Sequence, residues 1–156
     1  MRLGLLLALA FGLAGTAGTA AAADLPSAYG MAQKGTLKVV AGVLVTAQGA
    51  ELKGVWLDGT KGCLVKRTLA VSILVDRVPK PGGATTRVRR SRSGAVDNCA
   101  EGGPNFGYDL TARAARMACP DGRWKPGYYS FVTKVRDRTS GLVAQASLHF
   151  EATRPC

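Results

Sequence analysis

Three segments of this sequence alternate between inward and outward side chains, a pattern that restricts them to β-strands with one buried face. They are residues 69–76, Tyr128–Val135 and Leu142–Phe150. The first is the clearest, and its apolar face consists of Leu69, Val71, Ile73 and Val75. Turn residues separate these and other short apolar segments, at the spacing typical of all-β domains. The sequence therefore predicts a mainly β fold, a single antiparallel β-sandwich stapled by disulfides.

Three further segments fit the same architecture. Thr36–Ala47 is rich in Val and Leu and predicts a first strand, or a bent pair broken at Gly42. Glu51–Leu57 predicts a strand that ends at the turn pair Asp58-Gly59. Thr85–Arg92 follows a turn rich in proline and glycine and predicts the hairpin partner of residues 69–76.

Two stretches are less regular. Tyr108–Ala118 fits a strand by its alternation and a helix by its single apolar face, so one short helix near Thr111–Ala118 remains an alternative. We interpret residues 24–34 as a flexible N-terminal tether and residues 35–156 as one β-rich domain. Pro126–Phe131, with the hairpin that follows, resembles the last two strands of immunoglobulin-like domains. That resemblance implies an immunoglobulin-like sandwich.

Residues 1–23 have the three parts of a secretory signal peptide. Met1-Arg2 is the basic start, Leu3–Ala14 is uncharged and mostly apolar, and the small residues that follow end in Ala21–Ala23, before Asp24. The apolar run is shorter than the roughly 20 residues that span a bilayer. A buried helix and a retained membrane anchor are the alternatives. We expect a secreted protein, extracellular or associated with the cell envelope, with no membrane span after signal removal.

The four cysteines all follow the predicted cleavage site: Cys63, Cys99, Cys119 and Cys156. An even number in an exported chain indicates two disulfides, with free thiols as the alternative. The wide spacing and the absence of a C-x-x-C pair argue against a metal site. Residues equidistant from an antiparallel turn lie opposite each other. Of the three possible connectivities, this favours Cys63–Cys99 and Cys119–Cys156.

The residue groupings that catalysis requires are missing from the sequence. The only histidine, His149, falls on the outward face of a predicted strand, and no G-x-S-x-G nucleophile turn occurs. The carboxylates are scattered, and there is no glycine-rich phosphate-binding motif. If the cysteines are in disulfides, thiol catalysis is excluded as well. We expect a protein that is not an enzyme and uses neither cofactor nor metal.

Positive charge is concentrated in one stretch of a chain whose formal net charge is +11. Residues 61–92 contain nine Lys or Arg and a single acid, Asp76. Within them, Arg87-Val88-Arg89-Arg90-Ser91-Arg92 would point two arginines to each face of a strand. Charges on both faces exclude a central buried strand and predict an exposed edge or a loop.

These four arginines, Arg87, Arg89, Arg90 and Arg92, are the candidate polyanion-binding residues. The alternative is an edge strand whose charges only prevent edge-to-edge pairing. No aromatic residue is interleaved with them, which argues against sequence-specific binding of nucleic acid. The expected partner is an unknown protein or an anionic polymer of the cell envelope.

The segment 119–126 is a second candidate site, because a cysteine and two prolines bracket an exposed basic residue. Protease inhibitors present the residue that enters the protease on a rigid loop of this kind, which lowers the conformational entropy lost on binding. The candidate inhibitor residues are Asp121, Arg123, Trp124 and Lys125. The alternative is a stapled surface turn without a binding role.

The last 58 residues also resemble the bacterial subtilisin-inhibitor-like family. The matching residues are Cys99-Ala100-Glu101, Gly107, Asp109-Leu110, Met117, Cys119-Pro120, Pro126 and Cys156. The resemblance implies an exported inhibitor with two disulfides. The chain departs from the family's pattern in lacking the His-Pro element before the second cysteine and in having its first cysteine before residues 69–75. Asp121 occupies the position of the specificity residue and is a poor bait for subtilisin.

Taken together, the residues favour a secreted, non-catalytic binding protein whose partner the sequence does not identify. A secreted serine protease inhibitor acting through residues 119–126 is one alternative. A basic structural protein of the cell envelope that binds anionic polymers is the other. The frequent use of Ala, Gly and Arg favours a bacterial source with a high-GC genome.

Overall fold

The computed structural model describes residues 25–59, 66–97 and 105–156. The predicted signal peptide, together with Cys63 and Cys99, lies outside these ranges. The described residues form eight strands: β1 (Ser27–Lys34), β2 (Leu37–Thr46), β3 (Gly49–Asp58), β4 (Lys66–Val78), β5 (Thr86–Asp97), β6 (Asn105–Thr111), β7 (Gly127–Asp137) and β8 (Val143–Ala152).

The strands form two four-stranded sheets in which every neighbouring pair is antiparallel. Sheet A has the order β1-β2-β3-β6, and sheet B has the order β5-β4-β7-β8. The predicted mainly β, antiparallel sandwich is confirmed. Sheet B also has the order of the C′-C-F-G sheet of immunoglobulin variable domains, with β7 and β8 as its last two strands. Sheet A differs, because β2 and β3 form a hairpin within it.

The core lies between the sheets and is built from the alternating side chains of both. Trp56 on β3 is fully buried, and its indole Nε1 donates a hydrogen bond of 3.1 Å to the carbonyl of Val96 on β5. This bond ties the two sheets together. At the other end of the core, aromatic rings pack with centroids 4.8–6.3 Å apart: Trp124, Tyr129, Phe131 and Phe150. A fully buried ring of this kind stabilises the fold by about 2–3 kcal/mol, and Phe150, which is partly buried, contributes less.

The flexible tether predicted for residues 24–34 is wrong for most of its length, because Ser27–Lys34 forms β1 at the edge of sheet A. Its inward side chains are small: Ala28 and Ala32 pack on the core, and Gly30 lies between them. Because its inner face has no large apolar residues, β1 does not show the alternating hydrophobic pattern from which a strand is predicted.

The short helix considered near Thr111–Ala118 does not form. Asn105–Thr111 is β6, and the residues after it make a single turn, closed by a bond of 3.0 Å from the Ala115 amide to the Thr111 carbonyl. Arg116 then adopts a left-handed conformation with φ 58°, which ends the turn. Within the described ranges, no helix is long and apolar enough to cross a membrane.

The Cys119–Cys156 disulfide is confirmed, with a Cα–Cα distance of 5.3 Å. It joins the loop before β7 to the segment after β8, and so ties both ends of the β7–β8 hairpin together. The pairing of Cys63 with Cys99 lies outside the described residues and stays a prediction.

Thr133 is an unusual core residue. It lies in the middle of β7 and is fully buried, and its Oγ1 has no hydrogen-bond partner among the described residues. Because an unsatisfied buried hydroxyl costs about 1–3 kcal/mol, we expect Thr133→Val to raise the free energy of unfolding by about 1 kcal/mol. The corresponding rise in Tm is about 3 °C, measurable by thermal unfolding.

Thr36→Val is the matched control for this substitution. The Thr36 hydroxyl donates a bond of 2.9 Å to Asp58, so its loss should lower Tm rather than raise it. A Thr133→Val variant that unfolds at or below the wild-type temperature would show that the threonine hydroxyl is satisfied in solution.

Candidate anion-binding face

The basic run lies on β5, which is the edge strand of sheet B. The predicted exposed edge is therefore confirmed, and so is the division of the run between two faces. Arg87 and Arg89 lie opposite Asp76 and Leu74 of β4 and point to the outer face of sheet B. Arg90 and Arg92 belong to the other face of β5, so the structure does not bring the four arginines into one cluster.

Arg87 is held by an acidic partner. Its Nε and Nη2 donate bonds of 2.7 and 2.8 Å to the two carboxylate oxygens of Asp76. These hydrogen bonds lower the pKa of Asp76 and raise that of Arg87. Since Asp76 offsets its charge, Arg87 offers little attraction to an external anion.

Arg90 and Arg92 lie towards β6 and the turn after it. Arg90 donates a bond of 3.2 Å to the carbonyl of Ala114, and the guanidinium of Arg92 is 6.0 Å from the centre of the Tyr108 ring. Burial raises the pKa of Tyr108, although the two arginines act in the opposite direction. These two arginines therefore also have structural roles where β5 approaches β6.

Arg89 lines a depression on the outer face of sheet B, with a volume of about 310 Å³. In the strand register, Ser91 of β5, Ser72 of β4 and Lys134 of β7 lie side by side across the sheet. Arg89 lies two residues along β5 from Ser91, on the same face of the sheet. The lining residues are Ser72, Ile73, Leu74, Arg89, Ser91, Val132, Lys134 and Gln145. None of these is acidic.

The fold adds to this face the basic residues of β7, which were not among the candidate residues predicted from the sequence. Lys134 and Arg136 are exposed, and their partners on β4 are Ser72 and Ala70. The alternation of residues 128–135 placed Lys134 on an outward face. Its proximity to Arg89 depends on β4 lying between β5 and β7, and that order could not be derived from spacing alone.

The candidate inhibitor loop is folded back on the domain. Trp124 is 4% exposed, and its indole Nε1 donates bonds of 3.1 and 3.3 Å to the carbonyls of Thr46 and Gly49. Tyr129, packed against it, donates its hydroxyl to the Lys125 carbonyl, and burial raises the pKa of Tyr129 to about 12. Trp124 is a core residue of the sandwich.

The other residues of the loop form a tight turn. The Gly122 amide donates to the Cys119 carbonyl and the Cys119 amide to the Arg123 carbonyl, at 3.0 and 2.7 Å. Asp121 is exposed, but it forms an ion pair with Arg123, whose hydrogen bonds lower the pKa of the carboxyl. A bait residue must offer a free side chain on an extended backbone, and these contacts do not favour that role for Arg123. Inhibition through this loop stays a prediction.

His149 is exposed on the outer face of sheet B, opposite Ser130 of β7. Within residues 25–59, 66–97 and 105–156, no three His, Cys, Asp or Glu residues are grouped closely enough to hold a metal ion. Comparisons with protein-family models, with curated proteins and with solved structures found no match to this chain.

Proposed function

We propose that this chain is an exported, non-catalytic domain that binds an anionic polymer of the cell envelope through the outer face of sheet B. The observation that carries the proposal is that Arg89 and Lys134 line the same depression, to which the described residues contribute no acidic side chain. Serine hydroxyls and the Gln145 amide line it as well, and these groups can donate hydrogen bonds to phosphate, sulfate or carboxylate oxygens.

The residues assigned to binding are only partly those of the basic run. Arg89 remains, while Lys134 and Arg136 replace Arg87, Arg90 and Arg92 as the main contacts. Extended strands present these cations in rows along the sheet, which suits a long ligand better than a compact one. An exposed, charged face is typical of weak electrostatic retention that depends strongly on salt.

The test is retention of the mature protein on immobilised polyphosphate. We expect Arg89→Gln/Lys134→Gln to weaken binding about tenfold at low salt, which corresponds to about 1.4 kcal/mol. The matched control is Lys38→Gln/Lys53→Gln, which removes the same charge from the outer face of sheet A. The control should change the eluting salt concentration only slightly.

Two outcomes would contradict the proposal. Equal loss of retention in both double variants would mean that only net charge matters, without a preferred face. A wild-type protein that passes through the column at low salt would mean that the face does not bind such polymers.

A further inference from the structure

A second cationic surface lies beside the Cys119–Cys156 disulfide, away from the face described above. It is an open groove of about 650 Å³. Its lining residues are Arg113, Arg116, Ala118, Cys119, Pro120, Lys125 and Cys156. Three of these carry a positive charge, all three are exposed, and the described lining includes no acidic side chain.

Hydrogen bonds fix the backbone that carries the cations of the groove. The Lys125 amide donates a bond of 2.8 Å to the Met117 carbonyl, next to Arg116 in the chain. A bridge between Ala118 and Trp124 continues this pairing. Arg113 Nη2 donates a bond of 2.7 Å to the Pro120 carbonyl, which lays its side chain across the turn. A groove ordered before a ligand arrives loses less entropy on binding.

Arg116 occupies a backbone position that normally belongs to glycine. The turn after β6 closes with bonds from the Arg116 amide to the Arg113 carbonyl and from the Met117 amide to the Ala112 carbonyl. These are the two bonds of a Schellman motif, whose left-handed residue is usually glycine. Arg116, with φ 58°, is the only non-glycine residue with positive φ in the described part of the chain.

An arginine at such a position costs conformational free energy that glycine would not. Strained residues of this kind cluster at functional sites, where the side chain offsets the strain by its role. The left-handed backbone and the exposed guanidinium therefore point to the same conclusion, that the side chain of Arg116 is needed in the groove.

We infer that this groove binds a phosphate group through Arg113, Arg116 and Lys125. The guanidinium fork matches two phosphate oxygens, and the ammonium of Lys125 adds a third positive contact. The groove is larger than one phosphate, so it can accept the group while it remains attached to a sugar or a chain. The site is separate from Arg89 and Lys134 and does not rest on the proposed function.

Isothermal titration of the mature protein with pyrophosphate at low salt tests the inference. We expect Arg116→Gly to weaken binding about tenfold while Tm rises by about 3 °C, because glycine relieves the backbone. Arg116→Gln should weaken binding without the rise in Tm. Lys53→Gln removes one charge from sheet A and should leave the affinity for pyrophosphate unchanged.

Competition identifies where the phosphate comes from. If polyphosphate displaces pyrophosphate, the groove accepts phosphate carried on a chain, and if it does not, the ligand is a free phosphate. Either result supports the site. No heat of binding at about 10 mM pyrophosphate, or wild-type affinity in Arg116→Gly, would overturn it. Arg89→Gln/Lys134→Gln should keep pyrophosphate binding, so the two proposals can fail independently.

Discussion

Asp137→Asn is expected to lower the free energy of unfolding by about 2–4 kcal/mol, whereas Asp76→Asn is expected to cost less than about 1 kcal/mol. Both residues are aspartates paired with an arginine. The pairs differ in burial: the Asp137 side chain is fully buried and that of Arg67 is 12% exposed, against 22% for Asp76 and 65% for Arg87. The comparison sets a buried ion pair with further hydrogen bonds against an exposed one.

The environment of Asp137 explains the larger effect. Its carboxylate accepts a bond of 2.7 Å from Arg67 and one of 2.6 Å from the Ser140 hydroxyl. The amides of Thr139 and Ser140 add bonds of 3.2 Å each, which fix the turn between β7 and β8. Asparagine removes the closer of two carboxylates beside Arg67, whose guanidinium is held 5.2 Å from the centre of the Trp56 ring. The guanidinium would keep the more distant carboxylate of Asp58, at 4.0 Å, so its charge would be compensated less well.

The same pair gives the stability a pH dependence. Burial by itself raises the pKa of the Asp137 carboxyl, but the bonds from Ser140 and Thr139 and the charge of Arg67 outweigh it, and the pKa lies below its ordinary value. A carboxyl with a lowered native pKa contributes stability above its unfolded pKa of about 4, and the contribution disappears as pH falls through the native pKa.

Urea unfolding at several pH values measures both effects. The wild type should lose stability below about pH 4, and Asp137→Asn should show a flatter profile in that range. Similar losses in Asp137→Asn and Asp76→Asn would mean that Asp137 is hydrated in solution and that its pair with Arg67 contributes no more than a surface one.

Much of the sheet structure could be predicted because several strands keep a strict alternation of buried and exposed residues. In 69–76 and Tyr128–Val135, every second residue had to be buried, and the structure buries those residues. The Cys119–Cys156 bridge followed from distances to a hairpin turn, which antiparallel pairing converts into proximity. Both inferences depend only on the alternation of apolar residues along a strand and on the positions of turns.

The candidate sites were harder to predict, because they depend on which strands become neighbours. Arg89 and Lys134 are 45 residues apart in the sequence and line one depression only because their strands both flank β4. Trp124 sits between turn residues and gave no periodic signal of burial, yet it belongs to the aromatic core. Arg116 has no sequence signature of its left-handed backbone, since glycine would be the expected residue there.

β1 was not predicted as a strand because its inward residues are small, and one of them, Gly30, is the site of the second large expected effect. Gly30→Ala is expected to cost about 2–3 kcal/mol, because a methyl group at Gly30 has no room. An ideal Cβ there would lie 1.7 Å from the carbonyl oxygen of Gln145 on β8 and 2.6 Å from its carbonyl carbon. Both are backbone atoms, so β1 and β8 would have to separate. The small residues that hid the strand are what allow the two sheet edges to approach.

Gly42→Ala is the matched control. Gly42 lies on β2, next to Ala41, which is the residue paired with Gly30. A Cβ at Gly42 would meet only Lys53 atoms at 3.8 and 3.9 Å, an ordinary contact. Alanine there should be neutral or stabilising by up to about 1 kcal/mol, because a glycine inside a strand loses more entropy on folding. Urea unfolding measures both variants, and hydrogen exchange should show faster exchange of residues 27–34 in Gly30→Ala alone. If both variants unfold like the wild type, β1 does not pack against β8 in solution, and residues 27–34 would act as the tether that their composition suggested.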